Sequence, residues 1–90
     1  MAHAVNMRTN KVAVTASAFT EIFADKAVKS EFGVFHATED LILCIGHDTP
    51  TDGLSVDVPA GIGFHLRVAI VGRLFVKAAA NSVDVSVYRA

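Results

Sequence analysis

The residue types that could do chemistry are concentrated in one polar loop, residues 46–53, with the sequence Gly-His-Asp-Thr-Pro-Thr-Asp-Gly. His47, Asp48 and Asp52 offer an imidazole and two carboxylates, which are groups that bind zinc. A zinc site needs three or four ligands that converge, and neighbours along one loop rarely converge without a further ligand from elsewhere. The loop therefore favours side-chain turns of Asp48 and Asp52 to their own backbone, and we predict no bound metal.

The remaining reactive side chains stand apart from one another in the sequence. Cys44 lies in an apolar run, residues 41–45, where no neighbouring cation would stabilise a thiolate. Glu39 and Asp40 are adjacent, which predicts a solvated turn rather than a shared proton. His36 and His65 occupy predicted strands as surface or interface groups, and no serine has a histidine in a recognised arrangement. The sequence thus predicts a protein with no catalytic residues and no cofactor, and not an enzyme.

The composition suits a binding or structural protein. Hydrophobic residues make up 52% of the 90-residue chain and charged residues only 19%, with a net charge of −1. Without a basic cluster, a nucleic-acid partner is not expected. The apolar share leaves two interpretations open, a tightly packed all-β domain or a favoured oligomer whose interface covers the surplus. Neither a secretory signal nor a membrane-spanning run is recognised, and we expect the chain in a reducing compartment.

Short runs that are either apolar throughout or alternate between apolar and polar residues predict an all-β protein. The runs cover residues 11–17, 34–37, 41–45, 54–58, 64–70, 74–78 and 83–87. Residues 19–29 fit either a short helix or a strand at 20–24, and the strand is favoured because so short a helix has little stability of its own. Gly33 is expected to end the segment before it. We predict an N-terminal arm over residues 1–10, then one antiparallel β-sandwich over residues 11–90, jelly-roll or immunoglobulin-like, with about seven or eight strands.

The last quarter of the chain shows the strongest pattern, because residues 74–78 and 83–87 can pair as a hairpin in one apolar register. Its inner pairs would be Ala78 with Val83, Val76 with Val85 and Leu74 with Val87. Its outer pairs would be Lys77 with Asp84, Phe75 with Ser86 and Arg73 with Tyr88. The preceding strand would join through a loop at residues 71–73, pairing Ile70 with Leu74, unless these two strands belong to different sheets.

The order of motifs in the second half of the chain resembles small β-sandwich virion proteins of tailed bacteriophages. The order is Gly53-Leu, Val58-Pro-Ala-Gly, Phe64, Gly72-Arg-Leu-Phe-Val-Lys-Ala and Val83-Asp-Val-Ser-Val. In that family a strand ending in Leu-Pro-Ala-Gly precedes an aromatic-led strand, and a Gly-x-Leu-Trp/Tyr-Val-Arg/Lys-Ala strand precedes a valine-rich one. Here Phe75 stands where Trp or Tyr is more usual, and Lys77 where Arg is frequent.

The resemblance implies a capsid cement or decoration protein, which binds the outside of a phage capsid and stabilises it. It implies a homo-oligomer, with a trimer favoured, whose partner is the major capsid protein. The protein would be made in the host cytoplasm and would reside on the virion surface. A tail or head-fibre attachment component is the alternative within this class, and a small glycan- or ligand-binding module is the alternative outside it. The residues expected to contact a neighbour are Val5, Met7, Val71, Arg73, Phe75, Lys77, Asp84 and Tyr88.

Overall fold

The computed structural model describes residues 8–23, 28–46, 48–70 and 72–90. The described elements are β1 (Arg8–Val14), β2 (Thr20–Glu21), β3 (Phe32–Phe35), β4 (Leu41–Ile45), a 3-10 helix (Asp52–Leu54), β5 (Ser55–Val58), β6 (Phe64–Leu66), β7 (Leu74–Ala78) and β8 (Val83–Arg89). The predictions made for Val5, Met7, His47 and Val71 lie outside the described residues. Among the residues that are described, no helix is long and apolar enough to cross a membrane.

The strands form two antiparallel sheets of four strands each. Sheet A has the order β1-β8-β3-β6, and sheet B has the order β2-β7-β4-β5. Among the described strands, β4 and β5 are the consecutive pair that also lies side by side in one sheet. The other connections run from one sheet to the other, which brings the two inner faces together. The predicted all-β antiparallel sandwich is therefore confirmed.

Apolar side chains from both sheets meet between them because the residues alternate along each strand. Leu43 and Val76 face each other within sheet B, and Val34 and Val87 do so within sheet A. All four are at most 3% exposed. The core consists of Val14, Ile22, Val28, Phe32, Val34, Leu41, Leu43, Val58, Leu74, Val76, Ala78, Val85 and Val87.

The hairpin predicted for β7 and β8 is wrong, although the predicted inward residues of both strands are right. The neighbours of β7 are β2 and β4, whereas β8 lies between β1 and β3 in the other sheet. Leu74, Val76, Val85 and Val87 are buried, but they face each other across the sandwich and not along one ladder. An apolar row on each strand fits both arrangements equally well, so the local pattern could not separate them.

The predicted pairing of β6 with β7 is wrong for the same reason, since β6 pairs with β3 and β7 pairs with β4. The strand expected over residues 64–70 ends at Leu66, and Val68 is 44% exposed. The strand favoured over a helix after residue 19 is confirmed in a shortened form, β2. At the other end of the chain, β1 begins at Arg8, so three residues expected in the arm belong to a strand.

Candidate functional site

The outer face of sheet B is covered by the protein's own loops. Cys44 and Phe75 face each other there and are 0% and 7% exposed, although they alternate with the core residues of their strands. The Cys44 thiol lies 3.7 Å from the main-chain oxygen of Leu54, which belongs to the 3-10 helix. Cys44 and Phe75 therefore form a second, smaller apolar cluster, and the 3-10 helix lies over Cys44.

Two cations, Arg73 and Lys77, lie on this outer face and form ion pairs there. The Arg73 guanidinium lies 4.9 Å from the centre of the Phe75 ring and donates two hydrogen bonds to Glu21, of 2.8 and 2.9 Å. The hydrogen bond from Arg73 lowers the pKa of Glu21, while burial acts in the opposite direction. The Lys77 ammonium lies 2.7 Å from Asp52 and 5.1 Å from the centre of the Phe19 ring. Both cations are thus engaged within the chain.

These contacts correct several predictions. Phe75 is not an exposed contact residue, because it is the buried centre of the cluster on sheet B. Lys77 pairs with Asp52 instead of Asp84, and Arg73 contacts Phe75 and Glu21 instead of Tyr88. The side-chain turn expected of Asp52 is replaced by its ion pair, since Lys77 lies on the neighbouring outer face.

Two further predicted contact residues, Asp84 and Tyr88, lie on the opposite side of the sandwich from Arg73 and Lys77. Asp84 is exposed on β8, and Tyr88 is half-buried on the same strand. Both lie on the outer face of sheet A, whereas Arg73 and Lys77 lie with sheet B. The predicted set therefore does not form one surface, because β7 and β8 belong to different sheets.

The outer face of sheet A remains open. Two cross-strand rows of side chains define it, since residues directly opposite each other point to the same face. One row is Lys11, Ser86 and Phe35, on β1, β8 and β3. The next row is Thr9, Tyr88 and Gly33, followed by His65 on β6. Ser86 is the small residue in the middle of taller neighbours, so this face is concave.

Gly33 lets the Tyr88 ring lean away from β1. A Cβ atom at Gly33 would overlap Cε1, Cζ and the hydroxyl oxygen of Tyr88, so the ring occupies the space above the glycine. The ring then stacks on His65 with centroids 5.6 Å apart and planes inclined by 29°. Gly33 was predicted to end a segment, but it lies inside β3 because its missing side chain admits this ring.

Glu31 holds the far end of this stack. Its Oε2 lies 2.7 Å from Nε2 of His65, and its side chain is 19% exposed. Burial raises the pKa of Tyr88, and the nearby negative charge of Glu31 raises it further. The tyrosine therefore stays neutral through the physiological range and presents an aromatic ring with a hydroxyl group.

A groove of about 390 Å³ lies above Ser86. This volume is within the range of about 300–1,000 Å³ that is usual for ligand pockets. The Phe35 ring borders it and is 40% exposed, while the Lys11 ammonium has no ion pair among the described residues. The groove combines an apolar wall, one cation and three residues that carry hydroxyl groups. Its lining residues are Thr9, Asn10, Lys11, Phe35, Ser86, Val87 and Tyr88.

The apolar surface continues beside Phe35. Gly63 packs against it so closely that a Cβ atom there would lie 3.1 Å from Phe35 Cδ1 and 2.9 Å from the Val34 oxygen. Gly63 also has φ of 77°, a left-handed conformation that side chains disfavour. Its neighbour Ile62 is 78% exposed. This turn therefore places an exposed aliphatic residue next in sequence to the glycine that packs against Phe35.

Glu39 is a buried residue that the sequence pattern missed. It was predicted to lie in a solvated turn, but it is only 8% exposed. Its Oε2 accepts hydrogen bonds from the main-chain amides of Ala80 and Asn81, at 2.6 and 3.0 Å, and Oε1 accepts one from the Asn81 side chain. These hydrogen bonds lower the pKa of Glu39, and the bond from the main-chain amide of Asn81 has the largest effect. Glu39 thus fixes the connection between β7 and β8.

The two histidines within the described residues, His36 and His65, are both engaged within the chain. His36 Nδ1 accepts hydrogen bonds from the main-chain amides of Thr38 and Glu39, at 3.2 and 2.9 Å, which leaves the ring proton on Nε2. Asp40, next to Glu39, accepts a hydrogen bond of 2.8 Å from the main-chain amide of Ala60. Within the described part of the chain, no three His, Cys, Asp or Glu residues are grouped as a metal site would require.

Comparison with known proteins gave no relative, since no family model, curated protein or solved structure matches the chain significantly. The resemblance to phage virion proteins therefore stays a prediction.

Sequence reasoning found Tyr88 but missed its partners in the groove. The alternation in the sequence already places Lys11 and Ser86 opposite to the buried valines of their strands. It does not reveal that β1, β8 and β3 are neighbours, and that adjacency brings Lys11, Ser86 and Phe35 together. Phe35 carried a usable signal, because it follows Val34 in a strand and must point away from the core.

Proposed function

We propose that this chain is a structural virion protein, a cement or decoration protein that binds the outside of a phage capsid and stabilises it. The binding surface would be the outer face of sheet A. The observation that carries this proposal is the difference between the two sheets. Sheet B is closed by loops and fastened by ion pairs, whereas sheet A presents a concave surface with exposed aromatic groups.

Exposed apolar side chains support a binding role. Apolar surface that faces water in the isolated chain is a common mark of a protein–protein interface. Interfaces are enriched in aromatic residues near their centre, as Phe35 and Tyr88 would be here, with polar groups at the rim. Among the described residues, the exposed large hydrophobic ones are Phe35, Leu54, Val56, Ile62 and Val68. They lie on both sides of the sandwich, which leaves room for a capsid contact and for contacts within a homo-oligomer, of which a trimer is favoured.

The experiment is a binding assay with capsids that lack the protein. Purified wild-type protein should bind these capsids and raise their resistance to heat. The variant Phe35→Ser should bind about tenfold or more weakly, because residues at the centre of an interface contribute about 2 kcal/mol or more. Leu54→Ser is the matched control, since Leu54 is also exposed, at 52%, but lies on the side of sheet B. Wild-type protein that neither binds nor stabilises capsids would refute the proposal.

A tail or head-fibre attachment component is the alternative within the virion class. The same open face could bind a tail or vertex protein instead of the capsid lattice. Gold-labelled protein on intact particles distinguishes the two by electron microscopy. Label distributed over the capsid supports the cement role, and label confined to a vertex or tail supports the alternative.

A small-ligand or glycan-binding module is the second candidate, and the groove favours it. Phe35 and Tyr88 border a groove that also presents the hydroxyl groups of Thr9 and Ser86. Ligand sites combine apolar walls with a few polar groups in this way. Titration with a set of oligosaccharides, followed by amide NMR shifts at these four residues, tests this candidate directly.

A further inference from the structure

Strand β1 is the longest unpaired edge among the described strands. It has seven residues, against two, three and four in the other edge strands β2, β6 and β5. One side of β1 pairs with β8 along its whole length, from Arg8 to Val14. No described strand pairs with the other side. A long unpaired edge presents main-chain donors and acceptors to which a further strand can add.

The main-chain groups at this edge can be assigned. The Lys11 amide donates to Oδ1 of Asn10, at 2.8 Å, and not to the ladder with β8. Because hydrogen bonding alternates along an antiparallel strand, the main-chain groups of Thr9 and Ala13 point outward with those of Lys11. A partner strand would hydrogen-bond to these residues and would displace the Asn10 side chain from Lys11.

The groove opens onto this same edge. Three of its lining residues, Thr9, Asn10 and Lys11, belong to β1. A side chain on an added strand opposite Thr9 could extend over that short residue toward Tyr88, because diagonal neighbours are within reach of long side chains. The apolar space between Phe35 and Tyr88 would accept it. An edge that provides hydrogen bonds and an adjacent pocket that provides selectivity is the arrangement found in strand-addition recognition.

The charge at Lys11 determines which strand fits. A carboxylate directly opposite Lys11 forms a favourable cross-strand pair, whereas a second cation there destabilises pairing. Asp84 lies on the same face, opposite Ala13, so the positive charge is confined to the end of β1 near the groove. The edge therefore selects an acidic residue and an apolar residue two positions apart, which lie side by side on one face of the added strand.

We propose that the edge of β1 binds an extended acidic segment of a partner protein, which adds to sheet A as a fifth strand. An acidic side chain of that segment lies against Lys11. An aromatic or long aliphatic side chain two residues further on enters the groove over Ser86. In the antiparallel orientation the partner sequence reads acidic, any residue, apolar. This inference rests on the proposed binding face and specifies the chemistry of its partner.

The test uses short peptides with a central Glu-Thr-Phe sequence, flanked by alternating Thr and Val, and the full-length protein. Fluorescence anisotropy should show saturable binding to the wild type. A peptide with Lys in place of Glu should bind about tenfold more weakly. A peptide that is N-methylated on the side facing β1 should not bind, because it cannot donate to the main-chain oxygens of Thr9 and Lys11.

Charge reversal at Lys11 provides the matched control. The variant Lys11→Glu should lose the acidic peptide and bind the basic one, while Phe35→Ser should lose both. Lys11 is exposed, so thermal unfolding of the charge-reversed variant should match that of the wild type. An unchanged preference in Lys11→Glu would overturn the proposal. So would equal binding of the N-methylated peptide, tighter binding of an acidic oligosaccharide, or a homo-oligomer in which β1 pairs with β1 of a second copy.

The peptide-binding test and the capsid-binding test distinguish failure of the strand addition from failure of the proposed function. If capsids bind wild type and Lys11→Glu equally, and the peptides do not bind, the strand addition is refuted and the cement role stands. If the peptides bind with the expected charge preference but capsids do not, the cement role is refuted and the edge site stands.

Discussion

Replacement of Gly33 by alanine tests the central packing feature of the outer face of sheet A. The new methyl group would occupy the space of Cε1, Cζ and the hydroxyl of Tyr88, and all three belong to the rigid part of the side chain. The ring must move off β3, which breaks its stack on His65. Loss of such a stack costs about 0.5–1.5 kcal/mol, and forced repacking costs about 1–3 kcal/mol.

A small gain opposes this loss. Alanine restricts the unfolded chain, which stabilises a protein by about 0.4–1 kcal/mol where the backbone suits it. We therefore expect Gly33→Ala to lower the free energy of unfolding by about 1–3 kcal/mol, which for a domain of this size lowers Tm by roughly 5–20 °C. Urea and thermal unfolding measure both quantities. Peptide or capsid binding should also weaken, because a displaced Tyr88 ring changes the groove.

Two controls make the prediction specific. Gly53→Ala introduces a methyl group whose nearest neighbour, Thr51 Oγ1, is 4.0 Å away, so this variant should be no less stable than the wild type. The double variant Gly33→Ala with Tyr88→Ala should be no less stable than Tyr88→Ala alone, because the overlap has been removed. Strictly additive losses in the double variant, or an unchanged stability of Gly33→Ala, would refute the reasoning.

Three further predictions follow from the interior. The pKa of Glu39 lies below its usual value of 4.5, so the stability that Glu39 contributes is present above pH 4.5 and decreases as the pH falls below it. Urea midpoints measured between pH 7 and pH 3 should show this decrease. The variant Glu39→Gln should show a smaller decrease over the same range. Leu43→Ala, at a residue that is 0% exposed, should lower the free energy of unfolding by about 2–5 kcal/mol in a urea titration, and a loss below about 1 kcal/mol would contradict its place in the core. Cys44 should react with a thiol reagent only after denaturation, since the residue is 0% exposed, and rapid labelling of the native protein would contradict the closed face of sheet B.

Much of the secondary structure could be predicted because alternation is a local property of the chain. Residues 41–45 were predicted as a strand and form β4 with the same bounds. The strands β5, β7 and β8 likewise occur where the pattern placed them. The inward positions of Leu74, Val76 and Val85 were also predicted correctly, because a strand in either sheet must turn its apolar side to the same core.

The proposed binding face could be predicted only in part. The sequence indicated that Tyr88 and Asp84 point away from the core, and both lie on the outer face of sheet A. It also assigned Phe75 to the outside, and that geometry is correct, but the ring is only 7% exposed and lies beneath the Arg73 guanidinium. Burial on an outer face depends on which groups of the folded chain lie over it, and no periodicity in the strand itself indicates this.

Period-two alternation specifies which side of each strand faces the core, and short runs of this kind are typical of an all-β chain. Which strands are neighbours depends on tertiary contacts that this alternation does not specify. The apolar rows of β7 and β8 satisfy a hairpin and a pair of facing sheets equally well, and long-range contacts select the second. Those contacts place β1, β8 and β3 side by side, let Tyr88 lie across Gly33, and leave the groove above Ser86. The candidate site therefore arises from strand order, which local sequence does not specify.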